Sequence, residues 1–130
     1  MSNYKTFELN DINKELLDSI KTGDFVKCND WARGLLVVGT SENYFIMTKK
    51  AFGETIYSVC EKKPAGYARN NFSEGFYRIG RHNYIFGAPN GCSLDTEQGI
   101  NNYLAGFESG EIELSERAAV SLRRISIKRR

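Results

Sequence analysis

The feature that most constrains the fold is a series of short β-type segments in the first half of the chain. Apolar and polar residues alternate with a period of two over residues 24–28, 35–39, 44–48 and 55–61. Turn-forming Asn, Asp, Gly and Ser residues separate these segments. Because two hairpins alone cannot bury their apolar faces, we expect this β-meander, residues 24–61, to curl into a small barrel.

A helix over residues 11–22 is predicted before the meander. Ile12, Leu16 and Ile20 recur at every fourth position, which places them on one helical face. Asp11 is a candidate N-cap, and Gly23 suits the position after the helix.

A second helix is predicted over residues 96–109. Its apolar positions have helical spacing and are Ile100, Tyr103, Leu104 and Phe107. Asp95 is a candidate N-cap with Gln98 three residues on, and Gly110 is expected to end the helix.

The segments between and after these elements complete the expected sheet. Residues 62–75 have a loop-like composition, and residues 75–87 form an aromatic hairpin. Between residues 116 and 126 the sequence fits either a helix or a strand. We expect one helical turn and then a closing strand, 120–128, with a bulge or switch between Leu122 and Ile125.

Length and composition favour one domain, residues 1–130. The chain has 130 residues, of which 41% are hydrophobic and 26% charged, and no apolar run is long enough to span a bilayer. The first residues lack a signal-peptide pattern, and Cys28, Cys60 and Cys92 are expected to be free thiols, so a cytoplasmic location is predicted. The predicted fold class is α+β: an SH3-like curled antiparallel sheet or barrel of six to seven strands with two docked helices.

Charge is distributed unevenly along the chain. The net charge is +2, but residues 1–116 carry 12 basic and 16 acidic side chains, and residues 117–130 carry six basic and none acidic. A basic terminus of this kind either binds an acidic partner or nucleic acid, or is the solvated face of a last strand. The candidate binding residues of this tail are Arg123, Arg124, Lys128, Arg129 and Arg130.

No motif indicates catalysis, a cofactor or a metal. His82 is the one histidine, and no local motif pairs it with a nucleophile. The three cysteines lack the close spacing of structural zinc ligands. We therefore expect a protein that is not an enzyme, with a His82-centred activity as a minor alternative.

An aromatic and basic segment, residues 67–86, is the main candidate binding surface. Aromatic faces stack on bases while arginines bind phosphates. Half of these aromatic residues would instead lie in the core if the segment forms strands. The candidate binding residues are Tyr67, Arg69, Asn70, Asn71, Arg78, Arg81, His82 and Tyr84.

A second candidate surface is the predicted hairpin tip that carries Trp31 and Arg33. Exposed Trp and Arg residues are frequent anchors of protein interfaces. The alternative is that Trp31 folds back over the open end of the barrel.

Parts of the sequence resemble known proteins. The strings GDFVK at 23–27, GLLVVG at 34–39 and NYFIMT at 43–48 resemble the opening strands of SH3-like small barrels. Over residues 20–128 the chain is also similar to short uncharacterised proteins of Gram-positive bacteria and their phages or mobile elements. The strings that carry this similarity are SENYFI at 41–46, YSVCEK at 57–62, ARNN at 68–71, NYIFG at 83–87 and FESGEIELS at 107–115. The resemblance implies no activity, but inhibitors of host defence proteins are common in that genetic setting.

These observations predict a non-enzymatic binding protein without a cofactor. Its expected partner is a host protein or a nucleotide-like ligand, and an inhibitor of a host defence protein would be one instance. The alternative is a nucleic-acid-binding barrel that uses residues 67–86 and the basic tail.

Overall fold

The computed structural model describes residues 3–51, 53–72, 85–86, 94–114 and 119–129. In chain order the elements are β1 (Lys5–Glu8), a 3₁₀ turn (Leu9–Asp11), α1 (Lys14–Asp18), β2 (Phe25–Cys28), β3 (Leu35–Thr40), β4 (Tyr44–Ala51), β5 (Glu54–Glu61), β6 (Tyr67–Phe72), β7 (Ile85–Phe86), α2 (Glu97–Ser109), β8 (Glu113–Leu114), β9 (Ala119–Ser121) and β10 (Arg124–Lys128). Neither α1 nor α2 is long and apolar enough to cross a bilayer, and no other described helix is either.

Eight described strands form one antiparallel sheet in the order β1-β10-β2-β3-β4-β5-β6-β9, and β7 pairs with β8. Only Leu122 and Arg123 separate β9 from β10 along the chain. Because β9 pairs with β6 and β10 pairs with β2, this short link brings the two ends of the meander together. The described residues thus form a curled antiparallel half-barrel with two helices, which confirms the prediction of an α+β small barrel.

The main described sheet has eight strands and ten strands are described in all, whereas six to seven were expected. β6 lies in the stretch predicted as a loop, so that prediction was wrong, and β1 lies in the N-terminal segment, for which no element was predicted. The polar run Arg69, Asn70, Asn71 hides any alternation in β6, but β6 pairs with strands on both sides. Ladder hydrogen bonds to β5 and β9 outweigh the weak β-propensity of this run.

The first helix is shorter than predicted. α1 spans five residues and begins after Asn13, whose side chain accepts a hydrogen bond from the Leu16 amide at 2.8 Å. Asp11, the expected cap, lies in the 3₁₀ turn. Ile12 and Ile20 are still buried in the core, so the apolar spacing reports burial correctly although the helix does not reach either residue.

Two apolar clusters lie on opposite faces of the sheet. One fills the concave side, where Leu17 of α1 meets Val26, Phe45 and Ile125. The other lies under α2 on the outer side of β3, β4 and β5. Gly39 permits this packing because a Cβ there would overlap the Ile100 side chain of α2.

The second helix agrees closely with its prediction. α2 ends at Gly110, which has a left-handed φ of 80° as expected of a C-cap glycine. The N-cap is Thr96 instead of Asp95, and the Thr96 hydroxyl accepts from the Gly99 amide at 3.0 Å.

The C-terminal segment, for which the sequence allowed either a helix or a strand, contains two strands. Residues 119–121 and 124–128 are both strands, and the predicted change of phase coincides with the link at Leu122 and Arg123. The expected helical turn falls partly on residues 115–118, which lie outside the described residues, as do most of the aromatic hairpin and Cys92.

Candidate functional site

The basic tail makes contacts within the molecule. Arg124 donates to both carboxylate oxygens of Glu8, at 2.9 and 3.1 Å, and to Asp30 at 2.8 Å. The hydrogen bond to Glu8 is the main cause that raises the pKa of Arg124. Arg129 donates to Asp24 at 2.8 Å and to Ser19. These two guanidinium groups help to hold the fold.

The other tail residues have different environments. The Arg123 side chain is exposed, and its backbone amide donates to Asn29 at 2.8 Å. Lys128 lies beside aromatic rings, and Arg130 falls outside the described residues.

The side chains of Trp31 and Arg33 differ in their exposure to solvent. Trp31 is half-buried and packs against the concave core, so the structure favours the alternative in which it folds back. Arg33 is exposed in the β2–β3 connection.

The structure describes only part of the aromatic and basic segment. Tyr67 is half-buried at the start of β6. Arg69, Asn70 and Asn71 occupy positions in β6, but their side chains are not among those described, and the four remaining candidates lie outside the described residues: Arg78, Arg81, His82 and Tyr84. Their binding role stays a prediction.

An aromatic and basic surface that was not predicted lies on the outer side of β1, β10 and β2. Residues that pair across neighbouring strands share a face, so Phe25 lies beside Lys128, and Lys27 beside Ser126. Tyr4 precedes β1 and contacts the same surface. We call Tyr4, Phe25, Lys27 and Lys128 the Tyr4 face.

Lysine ammonium groups lie over the rings of this face. The Lys27 Nζ is 4.2 Å from the centre of the Tyr4 ring, and the Lys128 Nζ is 5.8 Å from it. Lys128 also lies 5.4 Å from the centre of the Phe25 ring. These distances are in the range of cation–π contacts, which restrain the two long side chains.

The Tyr4 ring has a fixed position. Its hydroxyl lies where a Cβ of Gly34 would be, so only glycine at position 34 permits this approach. Burial raises the pKa of the Tyr4 hydroxyl. On the same outer face, the hydroxyls of Thr6 and Ser126 are 2.8 Å apart and join β1 to β10.

The two lysines of the Tyr4 face have no acidic partner in the described part of the chain. The carboxylates of Glu8, at the end of β1, and of Asp30, in the β2–β3 connection, pair with Arg124. No described carboxylate forms an ion pair with Lys27 or Lys128. The positive charge of this surface is therefore concentrated around one tyrosine ring.

Asn29, the residue after β2, contributes to the closure of the barrel. Its Oδ1 accepts from the amides of Arg123 and Arg124 at 2.8 and 3.2 Å, and its Nδ2 donates to the Ser121 carbonyl at 2.8 Å. Its φ is 54°, a left-handed conformation that Asn tolerates well. The side chain thus joins the β2–β3 connection to the link between β9 and β10.

A second polar cluster surrounds the β3–β4 turn. The Lys62 side chain, 5% exposed, donates to the Ser41 carbonyl at 2.7 Å and lies 3.8 Å from Asp18. Burial lowers the pKa of Lys62, and the charge of Asp18 opposes that shift. A cleft of about 240 Å³ lies beside it, lined by Asn43, Tyr44, Glu61, Lys62, Lys63 and Glu108.

Glu108 of α2 binds the same turn from the other side. Its carboxylate accepts from the Ser41 hydroxyl at 2.6 Å and from the Asn43 amide and side chain, each at 2.7 Å. Burial raises the pKa of Glu108, but these hydrogen bonds outweigh burial and the net pKa is lowered. The cluster ties α1, α2 and β5 to one turn, which is a structural role.

The described residues contain no group of three or more His, Cys, Asp and Glu side chains arranged to bind a metal ion. Cys28 and Cys60 are buried thiols in the core. No protein-family model matches the chain, and the searches of curated proteins and of solved structures return no significant match.

Sequence reasoning missed the Tyr4 face although part of the signal was present. The alternation in β2 buries Val26 and Cys28, which leaves Phe25 and Lys27 on the outer face. Tyr4 had no such signal, because its position depends on pairing between the two ends of the chain.

Proposed function

We propose that this chain is a non-enzymatic binding protein with an SH3-like small barrel, and that it binds an acidic protein partner through the Tyr4 face. One observation carries the proposal: two ammonium groups lie within 5.8 Å of the centre of one ring and have no carboxylate partner in the described residues. Like charges held together repel each other, and an anionic group on a partner relieves that repulsion.

The aromatic rings suit an interface of this kind. Tyr4 and Phe25 supply rigid, half-buried apolar area, and aromatic residues are enriched among the residues that dominate interface energies. The lysines are already restrained over these rings, so less side-chain freedom is lost when a partner binds.

A protein partner agrees better with this surface than a nucleic acid does. The ammonium groups lie over the rings of Tyr4 and Phe25, where a stacked base would have to be. Farther from the lysines, the Arg124 guanidinium is already paired with the carboxylates of Glu8 and Asp30, so it is not available to bind the phosphates of a strand that continues along this surface. An acidic patch on a protein meets only the lysine end.

Inhibition of a host defence protein, which the sequence resemblance favours, is one form of this function. Nucleic-acid binding is the second candidate, because lysines beside aromatic rings also occur in single-strand binding surfaces. The two functions differ in the ligand that competes for the Tyr4 face.

The proposal is tested with two defined probes: peptides selected from a random peptide library, and a thymidine oligonucleotide. The charge-reversal variant is Lys27→Glu/Lys128→Glu. Its matched control is Lys49→Glu/Lys50→Glu, which changes the net charge equally at two exposed positions of β4. Titration calorimetry measures the affinity of both probes for each variant.

We expect selected peptides rich in Asp and Glu, whose affinity falls in the Lys27/Lys128 variant and is retained in the control. Equal loss in both variants would mean nonspecific charge attraction and would contradict the proposal. Binding of the oligonucleotide alone, lost only in the Lys27/Lys128 variant, would replace it with nucleic-acid binding.

A further inference from the structure

We propose that the partner adds an extended acidic segment as a new strand beside β1, at the edge of the described sheet. This inference rests on the function proposed above and specifies how the partner is bound. Among the described strands β1 pairs only with β10, whereas β10 pairs on both sides. An edge strand presents unpaired N–H and C=O groups that a peptide in extended conformation can bind.

The edge is already ordered in the structure. The Thr6 hydroxyl binds Ser126 in the middle of β1, and Glu8 binds Arg124 at its end. Tyr4, just before the strand, packs against Gly34. Because contacts hold β1 along its length, a partner strand would lose little free energy in ordering it.

The residues along the edge specify the chemistry of the added segment. Lys5 is exposed, with its Nζ 5.5 Å from the centre of the Phe7 ring. Lys5 pairs with Ile127, so it lies on the opposite face of the sheet from Lys128, and the edge of β1 has a lysine near each face. Leu9, directly after β1, is one of two large apolar residues with an exposed side chain in the described chain, at 38%. The edge therefore fits a segment with carboxylates near Lys5 and an apolar residue near Leu9.

Proline substitution tests the edge directly. In an antiparallel ladder the amides of neighbouring residues point in opposite directions, so either Lys5 or Thr6 has its N–H directed away from β10. The variants are Lys5→Pro and Thr6→Pro, with Lys5→Ala and Thr6→Ala as controls for loss of the side chain. The proline variant that melts like its alanine control identifies the outward amide.

We expect this outward proline variant to bind the selected acidic peptides about tenfold more weakly than its alanine control. Equal affinity of the two would overturn the strand addition. If both proline variants unfold, amide hydrogen exchange of the wild-type protein decides: the outward β1 amide exchanges more slowly with peptide bound if the inference holds, and at an unchanged rate if it fails.

The two proposals fail in different ways. Loss of binding in the Lys27/Lys128 variant with full binding in the outward proline variant would refute strand addition and leave the Tyr4 face as the site. Peptide binding that neither variant affects would refute both proposals. Concentration-dependent dimerisation of the free protein, abolished by the outward proline, would assign the edge to a second copy and overturn the inference.

Discussion

Replacing Asn29 by Ala is expected to destabilise the barrel by weakening its closure. The side chain makes three hydrogen bonds to the backbone of residues 121, 123 and 124, and Ala makes none of them. The site is partly exposed, so water replaces part of each bond, and a loss of ~0.7 kcal/mol per bond gives ~2 kcal/mol. Ala at a φ of 54° adds ~1 kcal/mol of backbone strain.

The total expected for Asn29→Ala is therefore ~3 kcal/mol, and Asn29→Gly, which tolerates the left-handed φ, should lose ~2 kcal/mol. Urea denaturation followed by tryptophan fluorescence measures both values, since Trp31 packs against the core near this turn. Asn101→Ala, an exposed position on α2, is the matched control with a change within about 0.5 kcal/mol.

The difference between the two variants separates hydrogen bonding from strain. If Asn29→Gly is as stable as the wild type while Asn29→Ala is not, the side-chain bonds contribute nothing and only the backbone conformation matters. If both variants have the same free energy of unfolding as the wild type, the Asn29 side chain, which joins the β2–β3 connection to the β9–β10 link, does not stabilise the closure.

Three further perturbations have defined outcomes. Glu108→Gln should lower the free energy of unfolding at pH values above the ordinary carboxylate pKa of 4.5. Urea denaturation at several pH values should show this loss disappearing as the pH falls through the lowered pKa of folded Glu108. A loss that stays constant with pH would contradict the hydrogen-bond account. Gly39→Ala should destabilise by ~1–3 kcal/mol because its Cβ overlaps Ile100, and unchanged thermal unfolding would refute this close packing. Gly34→Ala should displace Tyr4 and weaken the binding of selected acidic peptides; a calorimetric affinity equal to that of the wild type would show that the contact between Tyr4 and Gly34 does not contribute to binding.

The meander was predictable because each strand has its own pattern. In β2 and β3 buried and half-buried residues alternate without exception, as a pleated strand with one core face requires. The end of α2 was equally local, since Gly110 alone supplies the left-handed conformation. Local chemistry decides such elements, so one sequence suffices to find them.

The elements that the sequence did not reveal depend on distant pairing. Thr6 and Ser126 are 120 positions apart, yet their hydroxyl contact fixes β1 against β10. β6 likewise becomes a strand because β5 and β9 flank it. Neither pairing leaves a periodic signal in the segment itself, and a hydrophobic pattern cannot report which distant strand is the neighbour.

The candidate site shows the same division. The position of Lys27 on the outer face follows from alternation within β2. Its cation–π contact with Tyr4 requires the sheet to be assembled. The opposite case is Arg124: its charge suggested a binding tail, but Glu8 and Asp30, which are remote in sequence, pair with it.

The most direct measurement of the central claim is a two-dimensional NMR titration of the isotope-labelled protein with a selected acidic peptide. We predict that the largest amide shift changes cluster at Tyr4, Lys5, Phe25, Lys27 and Lys128, on β1, β10 and β2. Changes confined to other surfaces, such as the β4–β5 hairpin with Lys49 and Lys50, would contradict the assignment of the Tyr4 face as the binding surface.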